Sequence, residues 1–331
     1  MYNSSIQGSI KISLDDKTAL CTGITRVLAA LPPEQWQNSL LSLTNPTIEC
    51  IDALTKAVTS VGSEVAEDQQ ISQIIEKIGE EVGVLAIAMR TFNNAKSKSS
   101  SEQKQRESPV FAVLHGVWPY LKHIASTLCY HQNISSSLSE LLLVAVTLSE
   151  KNQDAHLLTK LYEISITMID SVCKRNQVRS LDPVMDLIGG IINAFGPIAD
   201  NDVQLVDNGV MNIRQIVEEL TRRSCSVVNS IKSEIQVDAL PAMFSVCTCG
   251  IQKCPILFMT LNTQADGSQD GQIFVHSIKV AVSSIDERHN NVARTAMFYL
   301  KEVVSKSRLL YFFEISHILF LNKLTSKNFQ L

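Results

Sequence analysis

A succession of amphipathic helical segments, running from about residue 14 to residue 306, dominates this chain of 331 residues. Within each segment the apolar residues recur at spacings of three and four, which places them on one side of a helix. Such a side must be buried against another surface. About a dozen consecutive helices with short polar breaks are most easily buried by stacking in pairs. The pattern therefore predicts an all-α protein, an α-solenoid of antiparallel helix pairs.

The predicted helices recur at the spacing of a known kind of repeat. Residues 153–174 carry an apolar seam in a 4-3-4-4 spacing, made of Leu157, Leu161, Ile164, Met168 and Val172. Pro46 and the Gly196-Pro197 pair are expected to interrupt or end helices, because proline removes a backbone hydrogen bond. About two helices in every 40 or so residues is a HEAT-like period. Further helices are predicted over 14–30, 68–92, 109–129, 136–149, 181–195, 202–223, 238–253, 272–285 and 289–305.

Three parts of the chain are expected to differ in order. Residues 1–13 are predicted to be a disordered lead, residues 14–307 the HEAT-repeat array, and residues 308–331 an atypical apolar tail. Within the array, residues 97–108 contain no apolar side chain. Because this segment can bury nothing that offsets the entropy lost on ordering, we expect it to be a mobile loop.

Composition excludes several classes of protein. A hydrophobic content of 45% is ample for a continuous core. The net charge of -4 and pI near 6.0 argue against direct nucleic-acid binding, which needs a basic face. Residues 1–9 lack the features of a signal peptide, and no segment supplies the roughly 20 apolar residues needed to cross a bilayer. The eight scattered cysteines are typical of reduced, buried thiols, so we expect a soluble intracellular protein without membrane insertion.

An acidic stretch over residues 49–81 has two interpretations. It is either a solvated helix face or a landing site for a basic partner. The stretch contains eight acidic residues but only two basic ones, Lys56 and Lys77. The acidic residues are Glu49, Asp52, Glu64, Glu67, Asp68, Glu76, Glu80 and Glu81.

Motifs for catalysis or metal binding are not found in the sequence. Cys247, Cys249 and Cys254 form the one metal-like cluster, but structural zinc sites need paired knuckles held on turns. Two thiols two residues apart on a helix diverge, so these cysteines are expected to be core residues. Asp266-Gly267 and Asp270-Gly271 lack the remaining ligands of a calcium loop. We therefore predict no catalytic residue, metal or cofactor; a helical enzyme with a dispersed site is the alternative.

The most distinctive local string surrounds a proline, in residues 116–121. Pro119 within a helix removes one backbone hydrogen bond and clashes with the preceding turn, which produces a kink. Trp118 and Tyr120 are expected to fill the space around that kink as structural anchors. The alternative is an exposed hot spot for a partner.

This string, extended to residues 109–121, resembles a helix with a Trp-Pro-x-Leu core in the importin-β (karyopherin) superfamily, in its transportin-SR and importin-thirteen branch. Residues 28–34, 238–241 and 288–301 are similar to further helix junctions and helices of that branch, in the same order. The resemblance spans residues 14–307. It implies a right-handed superhelix of HEAT repeats that binds protein cargo and nucleoporins. It also implies shuttling between cytoplasm and nucleus under control of the GTPase Ran.

Two departures limit what the resemblance implies. The chain matches a middle-to-C-terminal portion of the family, so the N-terminal repeats that hold Ran-GTP have no counterpart here. Residues 134–149 match an arginine-studded helix of the SR-protein carriers but contain no Arg or Lys. We therefore expect a nuclear-transport-receptor fragment that does not recognise phosphorylated arginine-serine cargo with that helix. The alternative is a generic HEAT or armadillo scaffold in another protein assembly.

Overall fold

The computed structural model describes residues 12–61, 69–97, 108–152, 154–200, 212–230, 236–261, 273–285 and 290–310. In these residues the chain forms twelve α-helices and one short 3-10 turn, and no strand. None of the helices in the described ranges has the length and apolarity that a membrane span requires. The predicted all-α architecture of helical repeats is confirmed. The chain divides into two compact units, residues 1–187 and 188–331, called here the first and second unit.

The helices are numbered in chain order, and the 3-10 turn Val178–Ser180 separates the sixth from the seventh. Their bounds are α1 Leu14–Ala29, α2 Pro33–Val61, α3 Gln69–Ser97, α4 Pro109–Thr127, α5 Gln132–Asn152, α6 Ala155–Arg175, α7 Leu181–Asp200, α8 Ile213–Ser230, α9 Gln236–Lys253, α10 Pro255–Thr260, α11 Ile273–Ser284 and α12 Asn290–Leu310.

Local signals explain several helix ends. The Ser13 hydroxyl accepts a hydrogen bond from the backbone N–H of Asp16, and the Asp154 carboxylate accepts one from Leu157. These caps satisfy backbone donors that a helix N-terminus leaves without partners. The last residue of α6 is Arg175, and the following residue, Asn176, has a left-handed backbone (φ 52°) that closes the last turn. These helix ends therefore follow from short-range chemistry.

Two predicted helix breaks are wrong. Pro46 lies inside α2, which continues from Pro33 to Val61, and Pro197 lies inside α7, which continues to Asp200. An interior proline costs about 3 kcal/mol. Buried side chains on both sides of each proline offset that cost. Around Pro46 these are Leu43, Thr44, Thr47 and Ile51, and around Pro197 they are Phe195 and Ala199.

The expectations for the chain ends and the long loop concern mostly residues outside the described ranges. Of the predicted lead 1–13 the structure describes only Ile12 and Ser13. Of the predicted loop 97–108 it describes only the end residues, and α12 extends into the predicted tail as far as Leu310. The first half of the helix predicted over 202–223 also lies outside the described residues, and α8 begins at Ile213.

Helices of the first unit alternate between two layers. α3 packs against α1 and α5 in one layer, and α4 packs against α2 and α6 in the other. Each helix from α1 to α5 also packs against the next one along the chain. Every second helix thus lies beside the next in the same layer, and consecutive helices pack across the two layers. Stacked helical repeats adopt this packing.

Contacts within each layer show the direction and spacing of the helices. Lys17 bonds to Glu81 and the Cys21 thiol lies 4.0 Å from the Val84 carbonyl oxygen, so α1 and α3 run parallel. Contacting residues are 64 positions apart between α1 and α3 but 41 apart between α4 and α6, where Lys122 meets Glu163. Only the second spacing falls near the length of a typical HEAT repeat.

α9 is the central helix of the second unit. It packs against α8, α10, α11 and α12, and residues 188–200 of α7 also lie against it. Its Phe244 ring stacks on Tyr299 of α12 with the centroids 6.0 Å apart, while Phe258 of α10 meets Phe274 of α11 edge to face. These aromatic pairs join three successive elements to one apolar core.

We expect Gly250→Ala to lower the free energy of unfolding by about 1–3 kcal/mol, because overfilling a packed core forces its neighbours to move. A Cβ at Gly250 would lie 2.7 Å from Cδ2 of Phe258, whose ring is fully buried. The control is Gly116→Ala on α4, where no atom lies within 4 Å of the added Cβ. This change should leave the free energy of unfolding unchanged or raise it by about 0.5–1 kcal/mol. Denaturant unfolding measures both, and equal effects would contradict the packing of α9 on α10.

Replacing Lys17 by methionine should cost about 3–5 kcal/mol, because it leaves the Glu81 carboxylate buried without a counter-charge. The Lys17 ammonium lies 2.5 Å from both carboxylate oxygens of Glu81, and the two side chains are 15% and 4% exposed. The double variant Lys17→Met with Glu81→Leu should regain most of the loss. Denaturant unfolding of the two variants tests this. A loss below about 1 kcal/mol in the single variant would show that water screens the pair.

Candidate protein-binding groove

A shallow groove runs between α3 and α5, which are neighbours in one layer of the first unit. Its volume is about 190 Å³. The lining combines amide, hydroxyl, charged and apolar side chains, which are Arg90, Asn93, Asn94, Glu140, Leu143, Val144 and Thr147. This set is called the α3/α5 groove below.

Small residues on α3 explain where the groove begins. Gly79 and Gly83 face Asn133 and Ser137 of α5 so closely that an added Cβ would lie 3.1 Å and 3.4 Å from their side chains. Further along both helices the facing residues are larger, as in the pair Arg90 and Glu140. Because α3 and α5 approach closely only where glycine permits it, the space between them opens toward their C-terminal halves.

Asn93 is the unusual residue of the α3/α5 groove. It is only 7% exposed, yet it lines the groove and is not among the buried side-chain polar atoms that lack a hydrogen-bond partner. A primary amide carries two donors and an acceptor, and in the groove these can face a bound molecule in place of water. The fold therefore maintains hydrogen-bonding groups at this point that a bound chain can satisfy.

The other lining residues complement this amide. Arg90 and Glu140 form an ion pair of 3.6 Å across the groove, with both side chains 52% exposed. An exposed pair of this kind contributes at most about 1 kcal/mol, so a partner's charges can replace it at little cost. Val144 and Leu143 add apolar contact, and the Thr147 hydroxyl adds a donor and an acceptor. The combination suits recognition of a polypeptide.

Two further surfaces are apolar and open. On α1 a wide groove of about 640 Å³ is lined by Ala19, Leu20, Gly23, Ile24 and Val27. On α12, Met297 and Phe298 are 53% and 51% exposed. Exposed apolar side chains grouped in this way are common at contact sites between proteins.

The predicted anchor residues lie on α4, away from the lining of the α3/α5 groove. Trp118 and Tyr120 are half-buried, Pro119 is exposed, and the helix continues through the proline to Thr127. The neighbouring Val117 and Leu121 are fully buried. The anchoring role of Trp118, Pro119 and Tyr120 stays a prediction.

The cysteines of the metal-like cluster lie in and beside the core of the second unit. Cys247 and Cys254 are fully buried, and Cys249 is half-buried. Burial raises the pKa of Cys254 to about 12, so its thiol stays protonated at neutral pH. In the described part of the chain, no three His, Cys, Asp or Glu side chains are grouped as metal ligands.

The acidic stretch divides between surface and interior. Glu49 and Glu76 are exposed, and Asp52 bonds to Lys56 at 2.7 Å on the surface. Glu81 is buried and paired with Lys17, so it belongs to the core. Glu64, Glu67 and Asp68 lie outside the described residues. Both interpretations of the exposed carboxylates stay open.

Comparison with models of known protein families and with curated proteins found no match to this chain. The importin-β resemblance therefore stays a prediction that depends on the sequence motifs alone.

The sequence analysis did not single out the α3/α5 groove, although one signal for it exists. Asn93 continues the helical stripe formed by Val82, Ala86 and Met89, all of which are buried. A polar residue at a core position of an amphipathic helix is uncommon, so it marks a candidate for binding. The residues of α5 that line the groove with Asn93 are about 50 residues away in sequence, and local periodicity does not identify them.

We expect Asn93→Leu to change the free energy of unfolding by less than about 0.5 kcal/mol, because the amide lines the groove and is not a buried polar group without a partner. Thermal or denaturant unfolding measures the change. The matched control is Asn38→Leu on α2, where the side chain is exposed and the change should also be near zero. If Asn93→Leu is destabilising, the amide contributes hydrogen bonds to the fold, and a binding role for Asn93 loses its support.

Proposed function

We propose that this chain is part of a nuclear transport receptor of the importin-β type, which binds protein cargo and moves between cytoplasm and nucleus. The observation that supports the proposal most is the alternation of α1 to α6 between two layers. Such an array places successive parallel helices side by side and presents a long surface instead of a single deep pocket. Long surfaces of this kind suit protein partners.

The α3/α5 groove supports binding of a polypeptide in particular. An extended segment of cargo can hydrogen-bond to the Asn93 amide while its own charged side chains replace the Arg90–Glu140 pair. Its apolar side chains can contact Leu143 and Val144. The transport part of the proposal comes from the sequence resemblance around Trp118 and Pro119. On the same ground we propose nucleoporins as further partners. The resemblance also implies Ran, but the repeats that hold Ran-GTP in the family have no counterpart in these residues.

A transport receptor must bind nucleoporins. We therefore expect the labelled chain to collect at the nuclear envelope of permeabilised cells and to bind a purified nucleoporin immobilised on beads. A cargo protein captured by a gene product that carries the family's N-terminal repeats in addition to these residues should be released when Ran in its GTP form is added. Fluorescence microscopy and quantitative pull-down measure the two effects.

The Asn93→Leu variant separates the two parts of the proposal. It should keep nucleoporin binding and lose at least about tenfold in affinity for cargo, which corresponds to about 1.4 kcal/mol. The matched control Asn38→Leu, on the exposed side of α2, should retain both activities. If the chain binds protein partners but neither a nucleoporin nor the nuclear envelope, the transport proposal fails and a scaffold in another assembly replaces it.

A further inference from the structure

Two buried cysteines face each other across the helix pair α8 and α9 in the second unit. Cys225 on α8 is 4% exposed, Cys247 on α9 is fully buried, and their sulfur atoms lie 3.6 Å apart. A disulfide bond is about 2.05 Å long, so a relative shift of about 1.5 Å brings the sulfur atoms to bonding distance. We propose that Cys225 and Cys247 form an intrachain disulfide when the protein meets a peroxide.

The positions of the two residues on α8 and α9 favour a disulfide between Cys225 and Cys247. Cys225 and Cys247 are 22 positions apart and lie on consecutive helices that pack directly against each other. Cys249 lies two residues further along α9, and side chains two residues apart on a helix point in different directions. Cys225 therefore has Cys247 as its facing thiol.

Polar contacts lie in the same core as the two thiols. The Ser277 hydroxyl donates a hydrogen bond to the Phe274 carbonyl and lies 2.8 Å from the Tyr299 hydroxyl. Since the Ser277 proton goes to that carbonyl, the Tyr299 hydroxyl donates to Ser277. Tyr299 belongs to the same buried cluster as Cys225 and Cys247, so α8, α9 and α12 meet around the pair.

The environment also determines when the disulfide forms. The hydrogen bond between Cys247 and Cys225, followed by burial, raises the pKa of the Cys247 thiol well above its usual value, so Cys247 stays protonated in the closed core. The thiolate is the attacking species. Oxidation therefore requires α8 to move away from α9 for long enough to admit peroxide and release a proton. We expect the rate to increase in denaturant too dilute to unfold the chain.

The reaction balances with one peroxide. One thiolate attacks an oxygen of the peroxide, the O–O bond breaks, and after proton transfer a sulfenic acid and one water are formed. The second thiol attacks the sulfur of the sulfenic acid, the S–S bond forms, the S–O bond breaks, and a second water leaves. Two thiols lose two electrons and two protons in total, and the peroxide gains them.

The experiment treats the reduced, folded chain with hydrogen peroxide and alkylates the remaining thiols. Digestion without reductant and mass spectrometry then identify linked peptides. We expect a linked pair that contains Cys225 and Cys247 and is two hydrogen atoms lighter than the separate peptides. The oxidised chain should also unfold at a higher temperature, because the cross-link restricts the unfolded state. A reductant should reverse both effects.

Two variants serve as matched controls. Cys225→Val keeps an apolar side chain of similar size and should abolish both the linked peptide and the rise in unfolding temperature. Cys129→Ser changes another fully buried cysteine, in the first unit, and should retain both effects. Circular dichroism checks that each variant is folded.

The peptide map of the unsubstituted chain decides the proposal even if a variant fails to fold. Full alkylation of Cys225 and Cys247 after peroxide treatment of the opened chain would overturn it. The proposal would also be overturned if Cys225 or Cys247 formed a disulfide with another cysteine at an equal or greater rate.

Discussion

Burial of α3 on several sides is the constraint on which the first unit depends. Ten of its apolar residues are buried, namely Ile71, Ile75, Ile78, Val82, Val84, Leu85, Ala86, Ala88, Met89 and Phe92. Burying a large aliphatic side chain is worth about 1.5–3 kcal/mol. One neighbour covers only one side of a helix, so α3 requires α1 and α5 in its own layer and α2 in the other. The two-layer stack follows from this requirement.

Two polar residues of α3 show how the same packing can stabilise the fold or support binding. The Glu81 carboxylate is buried but paired with Lys17, so α1 and α3 are connected by charge as well as by apolar contact. Asn93 is nearly as deeply buried, yet it lines a groove, so its amide can serve a partner instead of the fold.

Aromatic rings and polar contacts meet in the core of the second unit. Phe244 and Tyr299 stack in its core, and the Tyr299 hydroxyl is satisfied by Ser277. The Cys225–Cys247 pair belongs to the same core. Because the thiols are buried, their chemistry depends on the opening of α8 from α9, so the redox state of the pair would report the stability of this unit.

The sequence by itself determined the helical class and most helix positions, because spacings of three and four along the chain are a local property. The predicted helices over 14–30 and 238–253 match α1 and α9 within two residues. Only the tertiary structure decided that Pro46 and Pro197 lie inside helices, since burial on both sides outweighs the lost hydrogen bond. It also decided that Glu81 is internal, that Asn93 faces a groove and that Cys225 meets Cys247. These features depend on contacts between residues 22 to 64 positions apart on different helices. Interhelical packing sets these contacts, and local periodicity does not contain them.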